Sequence, residues 1–139
     1  MGQSMSTEAA RQRAGGRRTC VLVAEDEDLV RELAIEVLAA HGFDTIGARH
    51  GGEALSLFAK HADQIDAVLL DLSMPVVDGA TVLGELKKQK PGVRVLLTSG
   101  YDDSACADQD GNVPSVSFLQ KPYRAERLVS ELRAVLAGN

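Results

Sequence analysis

Residues 67–71 read AVLLD, four apolar residues in unbroken succession closed by a carboxylate. A strand that buries one face alternates apolar with polar residues, whereas a strand covered on both faces is apolar throughout. Ala67–Leu70 therefore predicts a central strand of a parallel sheet, with Asp71 at its carboxyl end. Similar runs lie on either side: CVLVA at 20–24 and VRVLLT at 93–98, with the weaker FDTIGA at 43–48 and VSFL at 116–119. Between them, apolar residues recur at helical spacing. Leu29, Val30, Leu33, Ala34, Val37 and Leu38 precede a stop at His41-Gly42, and Ala54, Leu55, Phe58 and Ala62 mark a second helix. A third opens at Gly79, runs through Val82, Leu83 and Leu86 and closes at Pro91-Gly92; Leu128, Leu132, Val135 and Leu136 line the last. Five strands alternating with helices require right-handed crossovers and hence helices on both faces. The expected architecture is α/β, one doubly wound five-stranded parallel sheet. Between the last two strands, DDSACADQDGN at 102–112 is rich in poor helix formers, so a helix there should be short or irregular.

The 139 residues suffice for one domain and not for two. A chain of this length buries a core without covalent staples. Cys20 and Cys106 are far apart, without the spacing of a zinc or redox motif, and read as incidental thiols in a reducing compartment. No apolar run approaches the ~20 residues of a membrane span, and residues 1–18 contain no apolar signal-peptide core. The net charge of −5 is unevenly divided: Arg11, Arg13, Arg17 and Arg18 against Glu8 make residues 1–18 locally +3, leaving −8 on the rest. An acidic domain repels phosphate backbones and is a poor nucleic-acid binder. Residues 1–18 read as a flexible arm, appended or linker sequence, and 19–138 as the domain.

In open parallel sheets the working site lies beyond the carboxyl ends of the strands. Those ends deliver Glu25 and Asp26, Asp71, Thr98 and Ser99, and Lys121 followed by Pro122. Crowded carboxylates repel unless a cation joins them, and hard oxygen ligands suit Mg²⁺. A carboxylate can also attack a phosphoryl group to form an acyl phosphate, with Mg²⁺ and a lysine balancing the charge. Each residue has a plainer reading: an acidic helix start at 25–28, a turn at Asp71 before Met74-Pro75, a solvated Lys121. Convergence from four strand ends favours the site. His41, His50 and His61 lack ligand spacing and read as structural.

Four segments together, VLVAEDEDLVRELA (21–34), VLLDLSMPVVDG (68–79), VLLTSGY (95–101) and FLQKPY (118–123), resemble the receiver domain of two-component response regulators, over Thr19 to about Leu136. The resemblance implies a flavodoxin-like sheet of order 2-1-3-4-5. It implies Asp71 as phosphoacceptor, with Glu25, Asp26, Asp71 and the backbone carbonyl of Ser73 holding Mg²⁺. Ser99 and Lys121 would contact the phosphoryl group, Phe118 would be the aromatic switch, and Lys121-Pro122 would be cis. The phosphodonor would be a histidine kinase or a histidine phosphotransfer domain. The segment would catalyse its own aspartyl phosphorylation and dephosphorylation in the cytoplasm, without nucleic acid or membrane contact, and with room for a weak homodimer. Glu25 stands where Asp is common, Phe118 where Tyr is common, and Arg124 where relatives place a helix-capping residue. The run from Thr98 through Leu128 resembles receivers at the C-terminus of hybrid sensor histidine kinases; a free-standing single-domain regulator is the alternative.

Two rivals are weaker. Asp26-Glu27-Asp28-Leu29-Val30 resembles the nucleophile motif of haloacid-dehalogenase-like phosphohydrolases, with Asp26 as nucleophile and Asp28 as acid/base. That family places its lysine before its final acidic pair, whereas Asp102-Asp103 precede Lys121 here. A phosphorylation-independent interaction module would not need the full set of acceptor, acidic pair, hydroxyl and lysine.

Overall fold

The computed structural model describes residues 18–74, 79–100 and 116–137. The arm up to residue 17 and the expected irregular helix within 102–112 lie outside the described residues. The elements are β1 (Cys20–Ala24), α1 (Asp28–Ala40), β2 (Asp44–Ala48), α2 (Gly51–His61), β3 (Ala67–Asp71), α3 (Gly79–Gln89), β4 (Val95–Ser99), β5 (Val116–Gln120) and α4 (Ala125–Ala137). The strands form one parallel sheet in the order β2-β1-β3-β4-β5.

The continuous apolar runs are explained by the two cores they separate. Leu22, Val68, Leu70, Val95 and Leu97 pack with Ala54 and Phe58 of α2 and Val82 and Leu86 of α3 on one face. Val21, Val23, Leu69 and Leu96 pack with Leu38 of α1 and Leu128 and Leu132 of α4 on the other. Adjacent residues of one strand thus serve opposite cores, as the two-residue period of a strand dictates. Each fully buried Leu or Val contributes roughly 1.5–3 kcal/mol relative to exposure.

The ends of the elements are fixed locally. α1 stops in a Schellman arrangement: Gly42, at φ 91°, donates to the Ala39 carbonyl, and Phe43 N–H reaches back to Leu38 O at 3.0 Å. Phe43 N–H is thereby used on the helix, which is why β2 begins one residue later than the apolar pattern predicts. Val93 N–H likewise closes the preceding turn on Lys90 O, so β4 begins at Val95. His50 has a definite structural role that its spacing did not suggest: its Nδ1 accepts from Glu53 N–H at 3.1 Å and caps α2. The Glu53 carboxylate returns to Arg49 N–H at 2.7 Å, in the manner of a capping box.

Two glycines have opposite surroundings. A Cβ at Gly79, the first residue of α3, would collide with Leu72 Cα and lie 2.8 Å from the Asp71 carbonyl oxygen. A Cβ at Gly84, inside the same helix, would meet open space. Urea denaturation should show Gly79→Ala losing roughly 1–3 kcal/mol to overpacking, and Gly84→Ala gaining roughly 0.5–1 kcal/mol from helix propensity.

Candidate functional site

β1 ends at the buried Ala24, and the chain turns toward α1 through Glu25, Asp26 and Glu27. Glu25 N–H still bonds the sheet, at Ala48 O, while Glu27 N–H donates to Glu25 Oε2 at 3.1 Å. β3 ends in the buried Asp71, whose Oδ1 accepts from Ser73 N–H at 3.0 Å. This is an Asx turn, the local preference of an aspartate that leaves a strand. Leu72 N–H bonds Thr98 O at 2.8 Å, and Lys121 N–H bonds Ser99 O at 2.8 Å, so the ends of β3, β4 and β5 are tied in succession. Lys121-Pro122 is cis.

The side chains converge as the strand ends predict. Lys121 Nζ lies 2.8 Å from Glu25 Oε1 and 3.3 Å from Asp71 Oδ2. Glu25, Asp26 and Asp71 each offer a carboxylate oxygen, all within 4.8 Å of one another. Ser99 is fully buried, with its Oγ 3.2 Å from Ser73 Oγ. Phe118 sits on β5 opposite Leu97, partly buried against the core cluster of Leu70, Met74 and Leu97.

Burial raises the Glu25 carboxyl to about 7, with the nearby Asp71 carboxylate adding to the rise and the Lys121 ammonium opposing it. Burial alone would lower Lys121, but its contacts with Glu25 and Asp71 outweigh that and raise it. Half-buried Tyr123 is also raised, first by burial and then by the Glu25 charge. Three carboxylates facing one ammonium leave excess negative charge. The donor set, hard oxygens held a few ångströms apart, fits a small hard divalent cation.

The family model of the response regulator receiver domain matches residues 21–133. The chain belongs to this family. It is 34% identical over 116 residues to the sensor kinase CckA of Brucella abortus, covering 84% of this chain and 12% of that protein. It is 25% identical to the chemotaxis protein CheY of Bacillus subtilis, covering 84% of this chain and 96% of that one. The crystal structure of the receiver domain of hybrid histidine kinase CckA superposes with a TM-score of 0.71 at 32% identity, over 84% of this chain and 98% of that one. A receiver domain is the phosphoacceptor module of two-component signalling, fed by histidine kinases. The chain spans only a small part of CckA, and about half of a transcriptional regulatory relative, TcrX of Mycobacterium tuberculosis (52%). Family membership sets aside the phosphohydrolase reading of Asp26.

The receiver site thus gathers Glu25, Asp26, Asp71 and Lys121 directly, and Ser99 through Ser73. The bond between the Ser73 and Ser99 hydroxyls was not legible in the sequence, because the two residues are 26 positions apart. The groove beside the site was also missed. It has a volume of about 400 Å³ and lies between α1 and the β5–α4 connection, lined by Val30, Leu33, Val37, Pro122, Tyr123 and Leu128. Among the described residues, no helix is long and apolar enough to cross a membrane.

The raised Glu25 carboxyl has a definite sign in folding. Its ordinary value is 4.5 and its folded value about 7, so between these the folded state binds more protons than the unfolded chain. Stability contributed by this group therefore falls as pH rises through that window. In EDTA, urea midpoints from pH 5 to 7.5 should fall more steeply for wild type than for Glu25→Gln; parallel profiles would contradict the shift.

Proposed function

We propose that Asp71 accepts a phosphoryl group from a phosphohistidine, with Mg²⁺ held by the carboxylates of Glu25, Asp26 and Asp71 and the backbone carbonyl of Ser73. The observation that carries this reading is the convergence of Lys121 Nζ on both Glu25 and Asp71 within 3.3 Å, beside a third carboxylate. Bound Mg²⁺ supplies neutralisation of the charge on the phosphoryl oxygens. An Asp71 carboxylate oxygen attacks phosphorus in line; the new O–P bond forms as the P–N bond to the donor imidazole breaks, and the bonding pair leaves with the imidazole nitrogen. Lys121 turns from its carboxylate partners to the phosphoryl oxygens. The Ser99 hydroxyl, released from Ser73, donates to another. The inward movement of Ser99 makes room for Phe118 to turn, which carries the signal to the surface around β5 and α4. Hydrolysis of the acyl phosphate at the same site returns the domain to rest.

The domain is assigned to residues 19–138 and a linker arm to 1–18, supported by the family match from residue 21 and by the buried Thr19. The reading sets the domain in the cytoplasm, as part of a hybrid sensor histidine kinase, supported by the similarity to CckA and its receiver. A single-domain regulator is the second reading, favoured by the match over 96% of CheY.

The phosphodonor docks on α1. Leu29 and Leu33 lie four residues apart on this helix, 76% and 61% exposed, and Leu33 lines the groove that runs to Lys121. Exposed Asp28, Glu32 and Glu36 form a parallel acidic stripe. An apolar helix edge rimmed by acid suits a donor helix with an apolar seam and basic flanks.

Two experiments follow from these assignments. Asp71→Asn should abolish phosphorylation by acetyl phosphate, read by intact-mass spectrometry, while circular dichroism stays unchanged; retained Mg²⁺-dependent phosphorylation refutes Asp71. Leu33→Glu should slow transfer from a phosphorylated histidine kinase on the order of tenfold or more, yet leave acetyl phosphate labelling unaltered. Equal rates from the kinase would remove α1 from the interface.

A further inference from the structure

Arg31 stands in the first turns of α1, outside the set of residues assigned above. Its backbone N–H continues the helix to Glu27 O at 2.9 Å. Its side chain folds back along the helix: Nη2 reaches Asp28 Oδ1 at 2.6 Å and Nη1 reaches the Glu25 carbonyl oxygen at 2.9 Å. The stem crosses β2 at Gly47, where a Cβ would lie 3.6 Å from Arg31 Cδ and 3.2 Å from Ile35 Cδ1. The arginine stem is thus within ordinary van der Waals reach of this position, and only Ile35 would be crowded by a side chain there.

The two ends of this bridge differ in burial. The Asp28 side chain is 73% exposed, whereas that of Arg31 is only 12% exposed. An exposed ion pair contributes little by itself, and a guanidinium largely removed from water needs its donors matched. The Glu25 carbonyl provides that match with a charge-assisted hydrogen bond. It also stands at a decisive place in the chain. Glu25 N–H is the last sheet bond of this segment, to Ala48 O, and Glu27 O already belongs to α1. The intervening peptide units set the directions in which Glu25 and Asp26 leave the backbone.

We propose that Arg31 is a positioning residue: its guanidinium, anchored by Asp28, fixes the Glu25 carbonyl and with it the turn that aims the Glu25 and Asp26 carboxylates at the cation site. The proposal rests on the reading of Glu25, Asp26 and Asp71 as that site. Arg31 touches neither the cation nor the phosphoryl group. Its effect is to hold the acidic pair in one arrangement before the cation arrives, so that binding does not have to order the turn. The planar fork matters, because two acceptors in fixed directions suit a guanidinium better than a point-like ammonium.

The test is calorimetric titration of the full chain with Mg²⁺, with urea midpoints measured in EDTA on the same samples. Arg31→Met keeps the stem over Gly47 and removes both hydrogen bonds. It should raise the Mg²⁺ dissociation constant about tenfold, the scale seen when a partner behind a metal ligand is removed. Asp28→Asn, which keeps an Oδ1 acceptor for Nη2 and the bond of Nη1 to Glu25, should change it by less than about twofold. Wild-type Mg²⁺ affinity in folded Arg31→Met, even with a lowered urea midpoint, would make Arg31 merely structural and overturn the proposal. Should Arg31→Met fail to fold, Arg31→Lys decides: an affinity reduced about threefold or more supports the fork, and wild-type affinity overturns it. A wild-type protein that takes up no Mg²⁺ would refute the cation-site reading itself, a result distinct from loss of the arginine effect alone.

Discussion

Lys121 is the contact on which the site depends. Glu25 and Asp71 are buried carboxylates at the ends of neighbouring strands, and Asp26 adds a third a few ångströms away. Like charges so placed would drive the strand ends apart or take up protons. One ammonium, brought from the end of β5 to within 3.3 Å of two of them, holds the cluster together without a ligand. The compensation is partial: one ammonium faces three carboxylates, and burial, with a lesser contribution from the Asp71 charge, still raises Glu25 to about 7. The site is therefore stable enough to fold yet retains a strong demand for positive charge. In the proposed function, that residual demand is what a cation would meet before a phosphoryl group arrives.

The sheet satisfies this demand through topology. β1 and β3 are central neighbours, so Glu25, Asp26 and Asp71 meet at one edge without a long loop. β4 lies next to β3 and β5 next to β4, and backbone bonds from Leu72 to Thr98 and from Lys121 to Ser99 carry the register to the ends of the strands. The two cores on either face hold those strands rigidly, which keeps short polar side chains within hydrogen-bond reach. Loops alone would leave the same residues dispersed.

Much of this was legible in the sequence because it depends on local rules. Unbroken apolar runs such as AVLLD declare strands buried on both faces, and the residues immediately after them must lie at one sheet edge. Glu25, Asp26, Asp71 and Lys121 could therefore be grouped before any coordinates. Boundaries failed where a backbone N–H was claimed by a neighbour, as at Phe43 and Val93. The contacts that escaped are those between residues far apart in the chain or between a side chain and backbone. Ser73 with Ser99, and Arg31 with the Glu25 carbonyl, have no period or spacing that announces them. Asp28 with Arg31 is a visible i,i+3 pair, but such pairs are common on helices and do not show which one reaches a functional turn.

The resting contacts also explain how the proposed chemistry becomes a signal. Lys121 bonds Glu25 and Asp71, and the Ser99 hydroxyl bonds Ser73. A phosphoryl group on Asp71 would bring acceptor oxygens into reach of both groups. What changes is position: Ser99 is fully buried on β4, in register with the end of β5, and cannot move without its surroundings. Phe118 is only partly buried on that neighbouring strand and lacks the phenol hydroxyl that would tie it to a polar partner. In the proposed switch, packing alone would govern its choice of orientation, beside Leu97 on the neighbouring strand. In the proposed function the coupling would rest on replacing one arrangement with another, and the balance between them on a few short contacts at the ends of four strands.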